Sequence, residues 1–157
     1  MVNGDYRIMD VVKSDIEDFT SDHFEKLYNH LNLFTIFLNL AHTRLEVYKI
    51  SQELALECYR VTKKFPSDEK FALVQQIRRA ATSVHLNLAE GCSRKSLKER
   101  NRYFEMSRGS VIEIDSAIGV TFKLEYVPLE ELQPVGNLII KTFKLLSGMI
   151  KNEESPH

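Results

Sequence analysis

The chain has no tryptophan, and in 157 residues it has only two cysteines, four prolines and six glycines. So little glycine and proline argues against a turn-rich β architecture and for long uninterrupted elements. Cys58 and Cys92 form no CxxC pair and have no histidine at ligand spacing, which excludes a cysteine-based zinc site. Nothing in their placement supports a disulfide, and the usage suits a reducing cytoplasm. Cys58 falls on an apolar face and reads as a small buried hydrophobe. Long hydrophobic runs are also missing. Leu31–Leu40 (LNLFTIFLNL) spans ten residues and includes two asparagines, whereas a membrane helix needs roughly 20 apolar residues. The start of the chain is acidic and does not read as a signal peptide.

Chemistry-bearing patterns are equally scarce. His23, His30, His42, His85 and His157 are scattered, and the one glutamate three residues before a histidine, Glu154 before His157, stands at the end of the chain with Pro156 between them, so the pair of Glu-x-x-His motifs that a dimetal site in a bundle would require is absent. Gly91, Gly109, Gly119 and Gly136 lie too far apart to form a phosphate loop. Glu113 and Asp115 are two apart on a helix, so they point in different directions. His85 sits among small and apolar residues and reads as a packed or hydrogen-bonded side chain. The expectation is a protein with no enzymatic activity, no metal and no cofactor.

What is present is charge asymmetry. The net charge is −1. Residues 1–30 carry seven acids against three bases, whereas residues 60–108 carry twelve bases against five acids. A near-neutral total argues against binding to nucleic acid by bulk charge, but a local excess permits a patch that binds polyanions.

Apolar spacing predicts an all-α chain. Residues 1–43 read as an N-terminal extension, with helical spacing over His23–Ala41 through Phe24, Leu27, Tyr28, Leu31, Phe34 and Leu38. Residues 44–152 read as four helices, and 153–157 as a frayed tail. The first helix is expected over Leu45–Lys64, with Val47, Ile50, Leu54, Cys58 and Val61 on one face, ending at Phe65-Pro66. The second is expected over Asp68–Glu90, with Ser67 as N-cap and Gly91 as the residue that stops it. The third opens after Ser93 or Ser96, with Ser96 and Glu99 as a capping box. Leu97, Phe104, Val111 and Ile118 then recur every seven residues to about Tyr126, and Gly109-Ser110 removes bulk where another helix crosses. The fourth starts at Pro128 and continues to about Lys151, with Leu132, Val135, Ile139, Thr142 and Leu146 in phase. Its second apolar line, Leu138 and Leu145, points to a second partner and hence to self-association. Short loops make antiparallel neighbours, so the fold expected is an up-down-up-down four-helix bundle.

The best candidate site is the run Arg94, Lys95, Lys98, Arg100, Arg102. Lys95, Lys98 and Arg102 fall at i, i+3 and i+7, and the adjacent Tyr103 is suited to stacking on a base, as on a phosphate-tracking surface. Five further residues read as structural. Asn87 and Glu90 satisfy polar groups near the end of the second helix, Gly91 forms the joint there, Gly109 is a crossing point, and Arg79 is paired with Arg78 so that one arginine packs inward while the other faces solvent.

The stretches LEVYKISQELA, FPSDEKFALVQQIRRAATS, NLAEG and RYFEMSRGSVIEIDSA together resemble the family of 23S rRNA-intervening sequence proteins. The resemblance runs from about Leu45 to Ile150. Its pattern is a Phe-Pro turn (Phe65-Pro66), a Gln-x-x-Arg-Arg-Ala run (Gln76 to Ala80), Asn-x-Ala-Glu-Gly (Asn87 to Gly91) and a Gly-Ser followed by an acid (Gly109-Ser110, Glu113). His85 departs from it, standing where the family often has proline, and the leader of 1–43 lies outside the family core. The resemblance implies a cytoplasmic bacterial four-helix bundle that assembles as a homopentamer and has no enzymatic activity. It also implies a likeness to the accessory variability determinant of diversity-generating retroelements, a pentameric bundle that binds a reverse transcriptase and nucleic acid. The function expected is therefore a homo-oligomeric scaffold binding RNA or a reverse-transcriptase-like protein. The alternative is a protein-interaction module, without nucleic acid, that works through residues 1–43.

Overall fold

The computed structural model describes Leu38 and residues 40–154. The bundle lies in a unit spanning Leu40–His157. The expected helix at 23–41 lies outside the described residues except for its last positions, and Ala41 itself opens a 3₁₀ turn, Ala41–Arg44. Four α-helices follow: α1 (Glu46–Thr62), α2 (Leu73–Ser93), α3 (Leu97–Lys123) and α4 (Leu129–Glu154). Each packs on its neighbour in sequence, and α1 also packs on α4, which closes an up-down-up-down bundle. Among the described residues there is no strand.

The core follows the expected stripe of each helix, except that Leu97, the first residue of α3, is exposed and only Phe104, Val111 and Ile118 of its heptad line are buried. Leu54 and Cys58 from α1, Ile77 and Leu88 from α2, Phe104 and Ile114 from α3, and Val135 and Leu146 from α4 are all sealed from solvent. Burying each such side chain contributes roughly 1.5–3 kcal/mol, which is why three- and four-residue apolar spacing was enough to locate the helices. Leu138 and Leu145 are half-buried and pack on this core. They do not form the free second face expected of them. The outward apolar side chains of α4 are instead Leu129, Ile140 and Phe143.

The entry to α2 differs from expectation. Ser67–Phe71 forms a 3₁₀ turn, Ala72 breaks the chain direction at φ −114°, ψ −109°, and α2 begins only at Leu73. Ser67 makes no capping bond. Its role falls to Glu69, whose Oε2 accepts from the Leu73 backbone N–H at 3.2 Å. The same carboxylate accepts from the Tyr126 hydroxyl through Oε1 at 2.8 Å. That bond raises the phenol's pKa, with burial and the charges of Glu69 and Asp68 adding to it. One acid thus serves a helix terminus and ties it to the α3–α4 turn.

Two further boundaries are corrected. Gly91 does not end α2, which runs on to Ser93, and no described glycine has positive φ. Gly91 is buried, and a Cβ there would lie 2.7 Å from Phe104 Cε1 and 3.1 Å from Tyr103 Cβ. Glycine is needed for close approach of α3, not for a left-handed turn. The left-handed residue is Glu125 at φ 56°, just after α3. Tyr126 N–H bonds to Thr121 C=O at 3.4 Å and Glu125 N–H to Phe122 C=O at 3.1 Å, the paired bonds of a Schellman cap. At the start of α3, Ser96 holds the N-cap position without a side-chain bond, so the expected capping box is not formed.

Candidate nucleic-acid interface

The basic run lies at the corner between α2 and α3, and the fold divides it. Arg94 leaves α2 in extended conformation. Its guanidinium lies 4.9 Å from the centre of the Tyr103 ring, donates to the Tyr103 hydroxyl at 3.2 Å and pairs with Glu90. Arg100 Nη2 donates back to the Arg94 carbonyl at 3.1 Å. These two arginines clamp the corner, and Arg94 covers a face of Tyr103 that base stacking would have used. Lys95, Lys98 and Arg102 stay exposed. Lys95 precedes the helix, however, so the helical spacing holds only for Lys98 and Arg102. These two share a hollow with Asn101 and with two acids, Glu99 and Glu105. Its charge is therefore balanced.

The residues expected to be structural also sort themselves. Glu90 takes up Arg94. Asn87 turns back on its own helix, donating from Nδ2 to the Ser83 carbonyl and to Ser83 Oγ, both at 2.9 Å, rather than serving a helix end. Ser83 Oγ in turn meets Ser110 Oγ at 2.9 Å, and Ser107 Oγ donates to the Val84 carbonyl at 2.7 Å. The close α2–α3 crossing is therefore made at Ser107, Ser110 and Gly91. Gly109 is exposed, with nothing within 4 Å of where its Cβ would be. Of the arginine pair, Arg78 is the one that packs. Its Nε donates to Thr62 Oγ1 at 2.9 Å, and its guanidinium lies 4.9 Å from the Tyr59 ring centre. Arg79 is exposed and pairs with Glu113 at 3.0 Å.

A second feature was not anticipated from the sequence. The outer side of α2 carries an open groove of about 780 Å³, lined by Tyr59 of α1, Lys70 and Phe71 of the 3₁₀ turn, and Arg78, Arg79, Leu86 and others of α2. Its α2 residues were legible as one helical side. Tyr59 and Phe71 join them only through packing.

Among the described residues, half-buried His85 and buried Cys58 are the titratable groups shifted chiefly by burial, and both are held by packing. Ser51 Oγ lies 2.8 Å from His85 Nδ1, but its proton goes to the Tyr48 carbonyl at 2.8 Å. The imidazole N–H is then the donor, the reverse of a nucleophile–base pair. His85 packs on Tyr48 at 4.4 Å, and His42 meets the same ring at 5.2 Å. Burial, and then the charge of His42, push the His85 pKa down. The Cys58 thiol is pushed up to about 12 by burial, with Glu57 adding to it, so it is an inert core group. Among the described residues no group of three or more histidine, cysteine or acidic side chains gathers as metal ligands, and no helix is long and apolar enough to cross a membrane.

Comparison with known proteins agrees with this architecture. Residues 43–148 match the model of the family described as 23S rRNA-intervening sequence protein. Among solved structures, a protein of unknown function from the S23 ribosomal protein family of Bacteroides thetaiotaomicron VPI-5482 superposes with a TM-score of 0.63 at 24% identity, covering 67% of this chain and 98% of that one. At that identity the likeness is one of fold. No curated protein matches the sequence.

Proposed function

We propose that this chain, which belongs to the 23S rRNA-intervening sequence protein family, is a non-enzymatic helical scaffold that self-associates and binds RNA through a positively charged surface. The observation that carries the self-association is the apolar surface the bundle leaves uncovered. Ile112 and Phe122 on α3 and Leu129, Ile140 and Phe143 on α4 are between 39% and 55% exposed, although the core beneath them is complete. Because α3 and α4 pack on each other, these side chains are read as one interaction surface. A homopentamer, as the family resemblance implies, is the expected assembly. The nucleic-acid part is supported by the excess of cations over acids in residues 60–108, which assembly would repeat around a symmetry axis so that weak sites act together. Cys58 is a buried thiol outside any disulfide, in keeping with a cytoplasmic setting.

The test is purification without nuclease, followed by light scattering and sequencing of any bound nucleic acid. A multimer is expected for the native chain, and a monomer for Ile140→Asp with Phe143→Asp. A native chain that is monomeric at micromolar concentration overturns the self-association. RNA affinity should fall linearly with salt on logarithmic axes, and no detectable RNA binding at low salt overturns the nucleic-acid reading.

A further inference from the structure

Two surfaces compete to be the cationic one, and their composition separates them. The hollow at the start of α3 offers Lys98 and Arg102 against Glu99 and Glu105. The groove along α2 offers Lys70, Arg78 and Arg79, with no aspartate or glutamate among its lining residues. The groove also carries aromatic surface. Phe71 is 80% exposed, with Lys70 Nζ 5.4 Å from its ring centre. Tyr59 is partly exposed beneath Arg78, which Thr62 holds in place. Each aromatic ring is thus paired with a cation. The Asn87 side chain spends its NH₂ on Ser83, so what it offers a ligand is its carbonyl oxygen.

Lys70 lies over one face of the Phe71 ring, and at 80% exposure the rest of the ring is open to a flat partner. Bases in a duplex are already stacked on one another and cannot use it, whereas unpaired bases can. Cations beside the rings suit the phosphates that accompany each base. Arg79 is engaged with Glu113, but Arg79 is 68% exposed, and an ion pair at such a site is weak enough for a phosphate to displace.

We propose that this groove is where a single-stranded RNA segment docks, with a base stacked on Phe71 and phosphates on Lys70 and Arg79. The inference rests on the reading that the protein binds nucleic acid, and it moves the contact away from the α3 run.

The experiment measures binding of the full chain to a fluorescein-labelled 20-nucleotide single-stranded RNA by anisotropy over a salt series. Phe71→Ala should weaken binding about tenfold. Lys70→Gln with Arg79→Gln should flatten the logarithmic salt slope by about 1.4, at roughly 0.7 per phosphate contact. Ultraviolet crosslinking of the native complex should recover RNA on the peptide that contains Phe71. Native binding with Phe71→Ala unaffected overturns the groove and leaves the nucleic-acid reading standing, as does a loss confined to Lys98→Glu with Arg102→Glu. Equal competition by duplex RNA overturns the single-strand assignment, and a crosslink at Phe71 to protein with none to RNA overturns the choice of partner. A native chain that binds no RNA at low salt removes both readings together.

Discussion

Gly91 of α2 and Phe104 of α3 are in such close contact that a Cβ on the glycine would sit 2.7 Å and 2.8 Å from two atoms of the ring. Phe104 is 1% exposed, so its ring can yield only by displacing other core side chains. Alanine at 91 would gain about 1 kcal/mol of helix propensity. Forcing the ring aside costs about 1–3 kcal/mol. Gly91→Ala is therefore expected to destabilise the bundle by about 1 kcal/mol in urea unfolding. In a Phe104→Leu background the same change should cost less or become favourable. A stabilised single variant would show that α3 has room to move.

Glu125 gives the opposite expectation. It holds the left-handed position of the α3 cap at φ 56° with a side chain that disfavours it. Glu125→Gly should stabilise by about 1 kcal/mol, raising the melting temperature by roughly 3–6 °C. Calorimetry that finds no increase would indicate that the Schellman bonds do not hold this turn.

Glu69, three residues before the N-cap residue Ala72, accepts from the first N–H of α2 and from the Tyr126 hydroxyl. Glu69→Ala should cost about 1 kcal/mol for the lost cap, together with whatever the tyrosine contact contributes. Ser67→Ala should be near neutral, because Ser67 makes no capping bond. Unfolding curves for the pair check the assignment, and a larger loss at Ser67 would reverse it.

His85 links stability to pH. Burial and then His42 hold its imidazole below the usual range. At mildly acidic pH the unfolded chain therefore binds a proton that the folded protein excludes. Stability should be fully present above an ordinary histidine pKa of about 6.5 and should be lost progressively as pH falls below it. His42, Tyr48 and Ser51 are the groups in reach, and none supplies a compensating negative charge. His85→Asn keeps a donor for Ser51 but cannot titrate. The acid-side slope should shrink in that variant, and an unchanged slope would assign it to other groups.

Much of the fold was legible in the residues. Leu54, Cys58, Ile77, Leu88 and Val135 stand at helical spacing, and that spacing is a property of one helix regardless of its neighbours. The element ends were less legible. Ser67 and Gly91 have the chemistry of caps, but capping by Glu69 depends on a turn that brings its carboxylate to Leu73, and Gly91 is read correctly only with Phe104 beside it. The basic run was visible as composition. Its division into clamps (Arg94 and Arg100) and exposed cations (Lys95, Lys98 and Arg102) was not, because Tyr103 and the Arg94 carbonyl become partners only when α2 and α3 meet.

The sequence by itself determined that this is an all-α bundle with a cation-rich middle, since periodicity and charge are counted along the chain. The tertiary structure decided which of those cations remain available to a ligand. It also decided that Tyr59 and Phe71, twelve residues apart and on different elements, would line one groove with Lys70, Arg78 and Arg79. Availability depends on what lies across the helix interface, and no local pattern records that.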